Sequence, residues 1–394
     1  MGPRKIIHLD LDAFFCSVEE REDESLRGKA FAVGGRANTR GVIASCSYAA
    51  RAKGIRSAMP TAKALKLCPD LIVLSGRHHH YGEASQQVME IMGRYSGMIE
   101  QISIDEAFMD VSDLPQDGLE IARGLQAAVW QETHLPCSIG VASNKLVAKI
   151  ATDYGKGQHR GNTPPMAITV VPAGEEAAFL APLPVGSLWG VGPKTATALA
   201  QLGIRTAGDL AHENEAGMAS RFGKWGPELV LRARGIDDSP VSQDYEVKSI
   251  SQETTFDRDV GDLEQLKMTL RELAQTVGYR LRKEGFCAST VRLKLRWPDF
   301  TTITRQITTP QPTDQDGIIY ASVIELLEKE WQPGKRVRLL GVGTSKLKPR
   351  AHQLALWDTQ TEKERRLLEA VDAIHGRFGN NALQHGMRTN TKRK

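Results

Sequence analysis

The strongest constraint on this chain is a buried strand that ends in carboxylates. Lys5-Ile-Ile-His-Leu-Asp-Leu-Asp12 alternates apolar and polar residues, the period of a β-strand, and terminates in Asp10 and Asp12. A second segment, 99–110, is again acidic and apolar-alternating, with Ser103-Ile-Asp-Glu106 at its middle, so that Asp105 and Glu106 sit at a second strand or a turn. Neighbouring acids are common on solvated surfaces. These, however, are embedded in apolar runs: Ile6, Ile7, Leu9 and Leu11 around the first, and Ile102, Ile104, Phe108 and Met109 around the second. Ionised carboxylates at the ends of buried strands are costly unless something compensates them. A divalent cation would do so, because Mg²⁺ takes hard oxygen ligands and favours one or two carboxylates plus phosphates and waters. Three converging acids, Asp10, Asp105 and Glu106, suffice for two metals, the arrangement used for in-line phosphoryl transfer.

The surrounding pattern alternates helices and strands. Residues 13–20 read as a helix start, 30–34 and 41–45 as short strands, and 48–53 and 61–67 as short helices, with Thr61 placed after Pro60 as an N-cap. Helices are expected over 83–96, 119–132 and 145–153, with a strand at 138–142. The Gly- and Pro-rich stretch 155–165 marks a loop. Residues 172–235 change texture to short helices punctuated by glycines, at 175–180, 193–202, 206–211 and 228–233, which suggests a small all-α domain. After a linker-like stretch at 235–242 come a strand (249–256), a helix (263–284), two strands (288–297 and 301–307), a helix (316–330) and a strand (336–344). That is the compact β-α-β-β-α-β order. The final segment, 351–394, has one helix (362–378) and a Lys/Arg-rich end.

The chain's 394 residues are ample for two to four domains of an α+β protein. No window approaches 18 unbroken apolar residues, and Asp10 stands where a signal peptide needs its apolar core, so a cytoplasmic protein without a membrane segment is expected. Five cysteines without CxxC spacing read as free thiols rather than a zinc site. The net charge of +4 conceals a gradient: −3 over residues 1–244, +4 over 245–350 and +3 over 351–394. Such a gradient suits a metal site in front of a polyanion-binding region, or simply solvated surface charge. His78-His79-His80 reads as a surface stretch after a strand at 71–74.

His8-Leu-Asp-Leu-Asp-Ala-Phe-Phe15, Tyr48-Ala-Ala-Arg51 and Ser103-Ile-Asp-Glu-Ala107, in this order and spacing, resemble the Y-family translesion DNA polymerases, most closely their bacterial DNA polymerase IV branch. The likeness extends through Pro60-Thr-Ala-Lys-Ala-Leu-Lys-Leu-Cys-Pro69 and Gly140-Val-Ala-Ser-Asn-Lys-Leu-Val-Ala-Lys149 to about residue 350. It implies a right-hand polymerase with a palm (1–12 and 79–168), small fingers (13–78), a helical thumb with a helix-hairpin-helix (169–235), a linker (236–247), a β-α-β-β-α-β little finger (248–350) and a tail (351–394). Two Mg²⁺ ions, with Mn²⁺ as a substitute, would be bound by the catalytic acids Asp10, Asp105 and Glu106 and the main-chain carbonyl of Leu11. Asp12 is not a ligand in that pattern and is expected to cap the following helix. The nucleotide site would comprise Phe14, Phe15, Ser45, Tyr48, Arg51 and Lys156, with Phe15 as the steric gate under the sugar. Val42 and Ala44 would roof the templating pair. Phe14 and Phe15 also suit an ordinary core, and Tyr48 and Arg51 also suit packing of the fingers. The family's Lys-Pro-Asn-Gly stretch is altered here to Lys156-Gly-Gln-His-Arg160, which leaves Arg160 as a rival to Lys156.

For DNA, Gly190, Gly192 and Lys194 would bring main-chain amides and a cation to a phosphate. Arg292, Lys294 and Arg296 at period two would form a basic strip that Arg305 extends, or else a solvated face. Gln353, Leu354, Leu356 and Trp357 resemble the motif that docks such polymerases to the sliding clamp, with local packing of Leu354 and Trp357 as the alternative. The resemblance therefore implies a monomeric, Mg²⁺-dependent DNA polymerase that copies damaged primer-template DNA from dNTPs, with low fidelity and no proofreading. A catalytically weak polymerase-like accessory protein that binds DNA and the clamp is the alternative, and a nucleotide cyclase on a palm-like fold is a third reading.

Overall fold

Alternation along the first strand determines what packs on each side of the central sheet. The structure, a computed structural model, describes residues 4–243, 246–350 and 359–378 and divides between residues 245 and 246 into two compact units. The first unit contains, in order, β1 (Ile6–Leu11), α1 (Phe14–Glu22), β2 (Phe31–Gly34), β3 (Ile43–Cys46), α2 (Tyr48–Ala52), α3 (Thr61–Leu67), β4 (Ile72–Leu74), α4 (His78–Gly93), β5 (Ile99–Gln101), β6 (Glu106–Asp110), α5 (Gly118–Thr133), β7 (Cys137–Ala142), α6 (Lys145–Gln158) and β8 (Ile168–Val170). They form a five-stranded sheet of order β5-β6-β1-β7-β8 and a three-stranded sheet of order β3-β2-β4.

Ile7, Leu9 and Leu11 of β1 enter a core made with α1, α4 and α5. The alternate residues face α6. Ile6 joins Phe108, Leu146, Val147 and Ile150 in a second core, and His8 Nδ1 lies 2.9 Å from the Thr152 hydroxyl. This core continues into α7 (Glu176–Leu180), α8 (Pro193–Gln201), α9 (Ala207–Ala211), α10 (Glu215–Phe222) and α11 (Trp225–Ala233). Gly140 of β7 lies opposite His8. A Cβ on Gly140 would meet the Ala148 carbonyl oxygen at 2.0 Å and the Thr152 nitrogen at 2.7 Å, so its bare backbone is what lets α6 press onto the sheet.

Several local readings are resolved or corrected. For the segment 99–110, where the sequence leaves strand and turn both open, the structure has two short strands, β5 and β6, joined by a turn. In that turn the Ser103 hydroxyl accepts from the main-chain N–H groups of Asp105 and Glu106 and donates to the Asp105 carboxylate at 2.5 Å. That local bonding competes with the ladder. The helix expected over 145–153 runs on to Gln158, so Lys156 sits in its last turn rather than in a loop. Gly155 does not stop it, because the missing side chain accommodates Thr169 of β8, whose hydroxyl oxygen would lie 2.3 Å from a Cβ. His78–His80 lie at the surface as expected, but they form the first turn of α4, which starts earlier than residue 83. Thr61 is not an N-cap: Pro60 holds that position, and the Thr61 hydroxyl donates to the Gly35 carbonyl at 2.8 Å. Asp12 does not cap α1 either. Ala13 is the N-cap residue, with no side-chain cap, and the Asp12 carboxylate instead accepts from the Ser138 hydroxyl at 2.9 and 3.0 Å and from Met166 N–H at 3.1 Å.

The second unit contains β9 (Ser249–Val260), α12 (Leu263–Lys283), β10 (Phe286–Arg296), β11 (Thr302–Thr313), α13 (Asp316–Glu330), β12 (Val337–Pro349) and α14 (Thr359–Phe378). Its antiparallel sheet has the order β11-β10-β12-β9. Leu293, Leu295, Leu340 and Val342 face the helices. Arg292, Lys294 and Arg296 alternate with them onto the opposite face, as period two requires. Arg305 does not extend that strip. It pairs in register with Leu293, which puts it on the helix side, where it bonds Glu330 of α13 at 2.5 Å. Lys294 is itself bridged to Glu253 of β9 at 2.6 Å. The bare backbone of Gly341 lies between them on β12. Buried Arg282 of α12 holds α14 through two bonds to Asp372, at 2.6 and 3.0 Å.

The close approach at Gly140 is testable. Gly140→Ala should destabilise the protein by about 2–3 kcal/mol, because the clash is with backbone rather than with a side chain that can move. Chemical denaturation checks this, and an unchanged midpoint would show that α6 can back away freely.

Candidate active site

The end of β1 supplies the first acid and its pairing with β6 supplies the others. Asp10 lies directly across from Glu106 in the antiparallel ladder, and the Leu11 N–H donates to the Asp105 carbonyl at 2.9 Å. Asp10, Leu11 and Asp105 line one cleft of about 220 Å³ together with Ala13, Phe14, Phe15, Ala44, Ser45, Arg51, Ser57 and Lys156. Ala13 takes φ +48°, an unusual turn for a residue with a Cβ, immediately before Phe14 and Phe15 begin α1.

A row of side chains on α6 faces these acids. Lys145, Lys149, Thr152 and Lys156 follow a spacing of 4, 3 and 4, one face of a helix. Lys145 binds Glu100 at 2.8 Å, Lys149 binds Glu106, and Lys156 lies 2.6 Å from Asp10 and 3.3 Å from Asp12. His8 Nε2 adds a bond to Glu106 at 3.1 Å. Burial pushes the His8 pKa down, so the ring is neutral. A carboxylate can only accept, so a neutral ring facing Glu106 carries its proton on Nε2, while Nδ1 stands 2.9 Å from the Thr152 hydroxyl.

Two of the three catalytic candidates, Asp10 and Glu106, differ electrostatically. Burial raises the Asp10 pKa to about 6, against the pull of Lys156, and the neighbouring charges of Asp105 and Glu106 add to the rise. Burial also opposes ionisation of Glu106, but bonds from His8 and Lys149 overcome it and hold the group at about 2. Burial would lower the Lys156 pKa, yet Asp10 and Asp12 outweigh it and keep the ammonium charged.

The opposite wall is cationic and aromatic. The Arg51 guanidinium stacks over the Tyr48 ring at 4.6 Å, and His159 meets that ring edge-on at 6.2 Å. The Tyr48 hydroxyl is buried with no hydrogen-bond partner among the described residues. A buried donor left in this state is expensive, and a phosphate oxygen entering the cleft would satisfy it.

Among the described residues, no group of three His, Cys, Asp or Glu side chains is disposed as a metal cage, and Lys156 and Lys149 pair with Asp10 and Glu106. The donor set nevertheless fits Mg²⁺: hard carboxylate oxygens beside a main-chain carbonyl, already balanced by positive charge. Of the site residues read from the sequence, Asp10, Leu11, Phe14, Phe15, Ser45, Arg51, Asp105 and Lys156 share the cleft. Glu106 and Tyr48 do not line it; each neighbours a residue that does, Glu106 across the ladder from Asp10 and Tyr48 under the Arg51 guanidinium. Arg160 is exposed, and its guanidinium is turned to the main chain of Gly157 and His159. Gly190 has φ +94° and Gly192 is the N-cap of α8, with Lys194 in its first turn. Gln353, Leu354, Leu356 and Trp357 lie outside the described residues. Sequence reasoning missed Lys149, His8, Thr152 and Ser57. The lysine periodicity was visible in the 145–156 segment, whereas Ser57 carries no local signal.

The fold and this cleft are those of a nucleotidyltransferase with its acids on a central sheet. The impB/mucB/samB family pattern matches residues 9–153, the C-terminal domain of that family matches 247–356, and its helix-hairpin-helix motif matches 173–204. The chain is 42% identical to DNA polymerase IV of Desulfatibacillum aliphaticivorans over 98% of this chain and 96% of that one. It is 41% identical to DNA polymerase IV of Listeria monocytogenes serotype 4b (strain F2365) over 88% and 96%, and 36% identical to DNA polymerase IV of Bacillus velezensis over 97% and 92%. A solved Y-family DNA polymerase chimera, Dbh-Dpo4(243-245)-Dbh, superimposes with a TM-score of 0.77 at 24% identity, covering 87% of this chain and 99% of that one, and so shares the fold. The chain belongs to the Y-family DNA polymerases, in their DNA polymerase IV branch. It is a DNA-directed DNA polymerase. Among the described residues, no helix is long and apolar enough to cross a membrane.

If Asp10 is a metal ligand, proton and cation compete for it. Its raised pKa means that the carboxylate is free above about pH 6 and protonated below. Divalent-cation affinity should therefore be full at pH 7 and fall about tenfold per unit below pH 6. Mn²⁺ titration followed by electron paramagnetic resonance measures this, and a flat profile from pH 7 to 5 would remove Asp10 from the ligand set.

Proposed function

We propose that this polymerase adds dNTPs to a primer opposite damaged template bases in an Mg²⁺-dependent reaction, with low fidelity and without proofreading. The observation that supports this most directly is the single cleft that sets Asp10 and Asp105 against Arg51 and Lys156, beside the unpartnered Tyr48 hydroxyl. Two Mg²⁺ ions on Asp10, Asp105, Glu106 and the Leu11 carbonyl, with Mn²⁺ able to substitute, would acidify the primer 3′-hydroxyl and neutralise charge on the pyrophosphate leaving group. Lys156 releases Asp10 and turns its ammonium to the triphosphate. Arg51 offers a planar fork to the same oxygens, and Tyr48 donates its proton. Ser45, on the neighbouring strand, adds a hydroxyl. Phe14 anchors α1 in the core and leaves Phe15 half-buried at the cleft, where its ring excludes a ribose 2′-hydroxyl.

Val42 and Ala44 are exposed and small, which suits a roof that tolerates altered base pairs. The five-stranded sheet serves as palm (1–12 and 79–168), the three-stranded sheet and its helices as fingers (13–78), the helices from α7 to α11 as thumb (169–235), and the second unit as little finger (248–350). Gly190, Gly192 and Lys194 present amides and a cation to one phosphate. Arg292, Lys294 and Arg296 follow the duplex backbone without reading sequence. The polymerase works as a monomer in the cytoplasm, and Gln353, Leu354, Leu356 and Trp357 of the tail dock to the sliding clamp.

Two measurements test the reading. Asp105→Ala plus Glu106→Ala should lower primer extension by about a thousandfold or more, since several kcal/mol of charge stabilisation disappear. Absence of extension by the pure wild-type protein would favour an accessory, non-catalytic role instead. Arg292→Ala plus Arg296→Ala should weaken binding equally across DNA sequences and reduce the slope of log affinity against log salt by about 2. An unchanged slope, by fluorescence anisotropy, would return the strip to solvated surface.

A further inference from the structure

Behind Phe15 lies a second layer that packing alone does not require. Phe15 and Glu19 stand four apart on α1, on the face turned to the start of α4, where Arg77 and Tyr81 are also four apart. The two pairs interlock. The Tyr81 ring stacks on Phe15 with centroids 4.3 Å apart and planes 14° apart, while the Tyr81 hydroxyl donates to Glu19 at 2.6 Å. Arg77 closes the square with two bonds to Glu19, Nε at 3.1 Å and Nη2 at 2.5 Å, and a third to Glu22 at 2.7 Å. His78 meets both rings edge-on, at 6.1 Å from Phe15 and 5.9 Å from Tyr81.

Tyr81 is fully buried and Glu19 nearly so. A buried carboxylate held by one guanidinium and one hydroxyl is poor value as stability, because apolar residues of similar volume would serve as well or better. What it provides is direction. Dispersion between rings permits sliding and tilting, whereas a short O–H to carboxylate bond fixes where the Tyr81 ring lies along its own axis. Since α1 carries both Phe15 and Glu19, one tyrosine registers the gate ring against a charged anchor on the same helix.

We propose that Glu19, Arg77 and Tyr81 are positioning residues that hold the Phe15 ring at the height where it admits a deoxyribose and rejects a ribose. This rests on the reading of Phe15 as the sugar gate. In this role the three act through Phe15 and do not touch the nucleotide.

The test uses the full chain in single-nucleotide insertion assays, with kcat/KM measured for one dNTP and its matching rNTP. Phe15→Ala is the control and should collapse the ratio. Tyr81→Phe keeps the stacked ring and removes only the hydroxyl. It should lower the dNTP/rNTP ratio about fivefold through a rise in ribonucleotide use, in line with the loss of one directional bond. Glu19→Gln should act in the same direction. In a Phe15→Ala background, Tyr81→Phe should no longer change the ratio, which is the signature of action through the gate. A merely structural role would lower Tm and both kcat/KM values together and leave the ratio intact, and that result overturns the proposal. If Phe15→Ala itself leaves the ratio unchanged, the gate reading falls and this inference with it. If Phe15→Ala changes the ratio and Tyr81→Phe does not, the gate stands and only the positioning role is lost.

Discussion

The packing of α6 onto the central sheet is the contact on which the rest of the site depends. Gly140 admits the helix so closely that main-chain atoms of Ala148 and Thr152 occupy the space a side chain would need. At that distance Lys149 and Lys156 reach Glu106 and Asp10, and Thr152 reaches His8. A helix standing farther off would leave the carboxylates of β1 and β6 buried without counter-charge. The sheet ladder brings the acids together, and the helix makes their proximity tolerable.

This solution is provisional in a chemical sense. An ammonium ion neutralises one carboxylate but polarises little and holds no open coordination position, whereas a divalent cation with phosphate ligands does both. Asp10 remains poised near neutrality at about 6 in spite of Lys156, which shows that one ammonium does not fully offset burial and two neighbouring acids. The Tyr48 hydroxyl tells the same story from the facing wall, as a donor without an acceptor. Charge that is incompletely balanced in the free protein is the ordinary cost of a preorganised site: stability is given up where the ligand will restore it.

How much of this was legible beforehand follows from the range of each interaction. Asp10, Asp105 and Glu106 stood out because period-two alternation and an apolar setting are local properties, and the β-α-β-β-α-β order of the second unit was readable for the same reason. Lys156 is legible by resemblance but reads as part of a loop, because Gly155 and Gly157 look like helix breakers and the strand β8 that needs the bare backbone of Gly155 is distant in sequence. Arg305 suits the basic strip by sequence but lies on the other face, because facing depends on register. One strand's alternation cannot say that residue 305 pairs with Leu293 rather than Arg292. Asp12 reads locally as a cap, yet its partners Ser138 and Met166 lie more than 120 residues away. Local chemistry was visible, and errors began wherever a distant backbone decided the outcome.

The second unit shows why charge counts mislead in the same way. Residues 245–350 carry a formal +4, yet Arg282 is committed to Asp372, Arg305 to Glu330 and Arg350 to Asp314. What the sheet face presents is narrower: Arg292, Arg296 and a Lys294 already bridged to Glu253. For Lys294 to serve a phosphate it must leave that acid, and Glu253 would then stand on the face that receives the anionic backbone. If this face takes the DNA backbone as proposed, binding there would be an exchange of partners rather than a simple gain: the two arginines would carry the net attraction, and Glu253 would limit how tightly any one register is gripped.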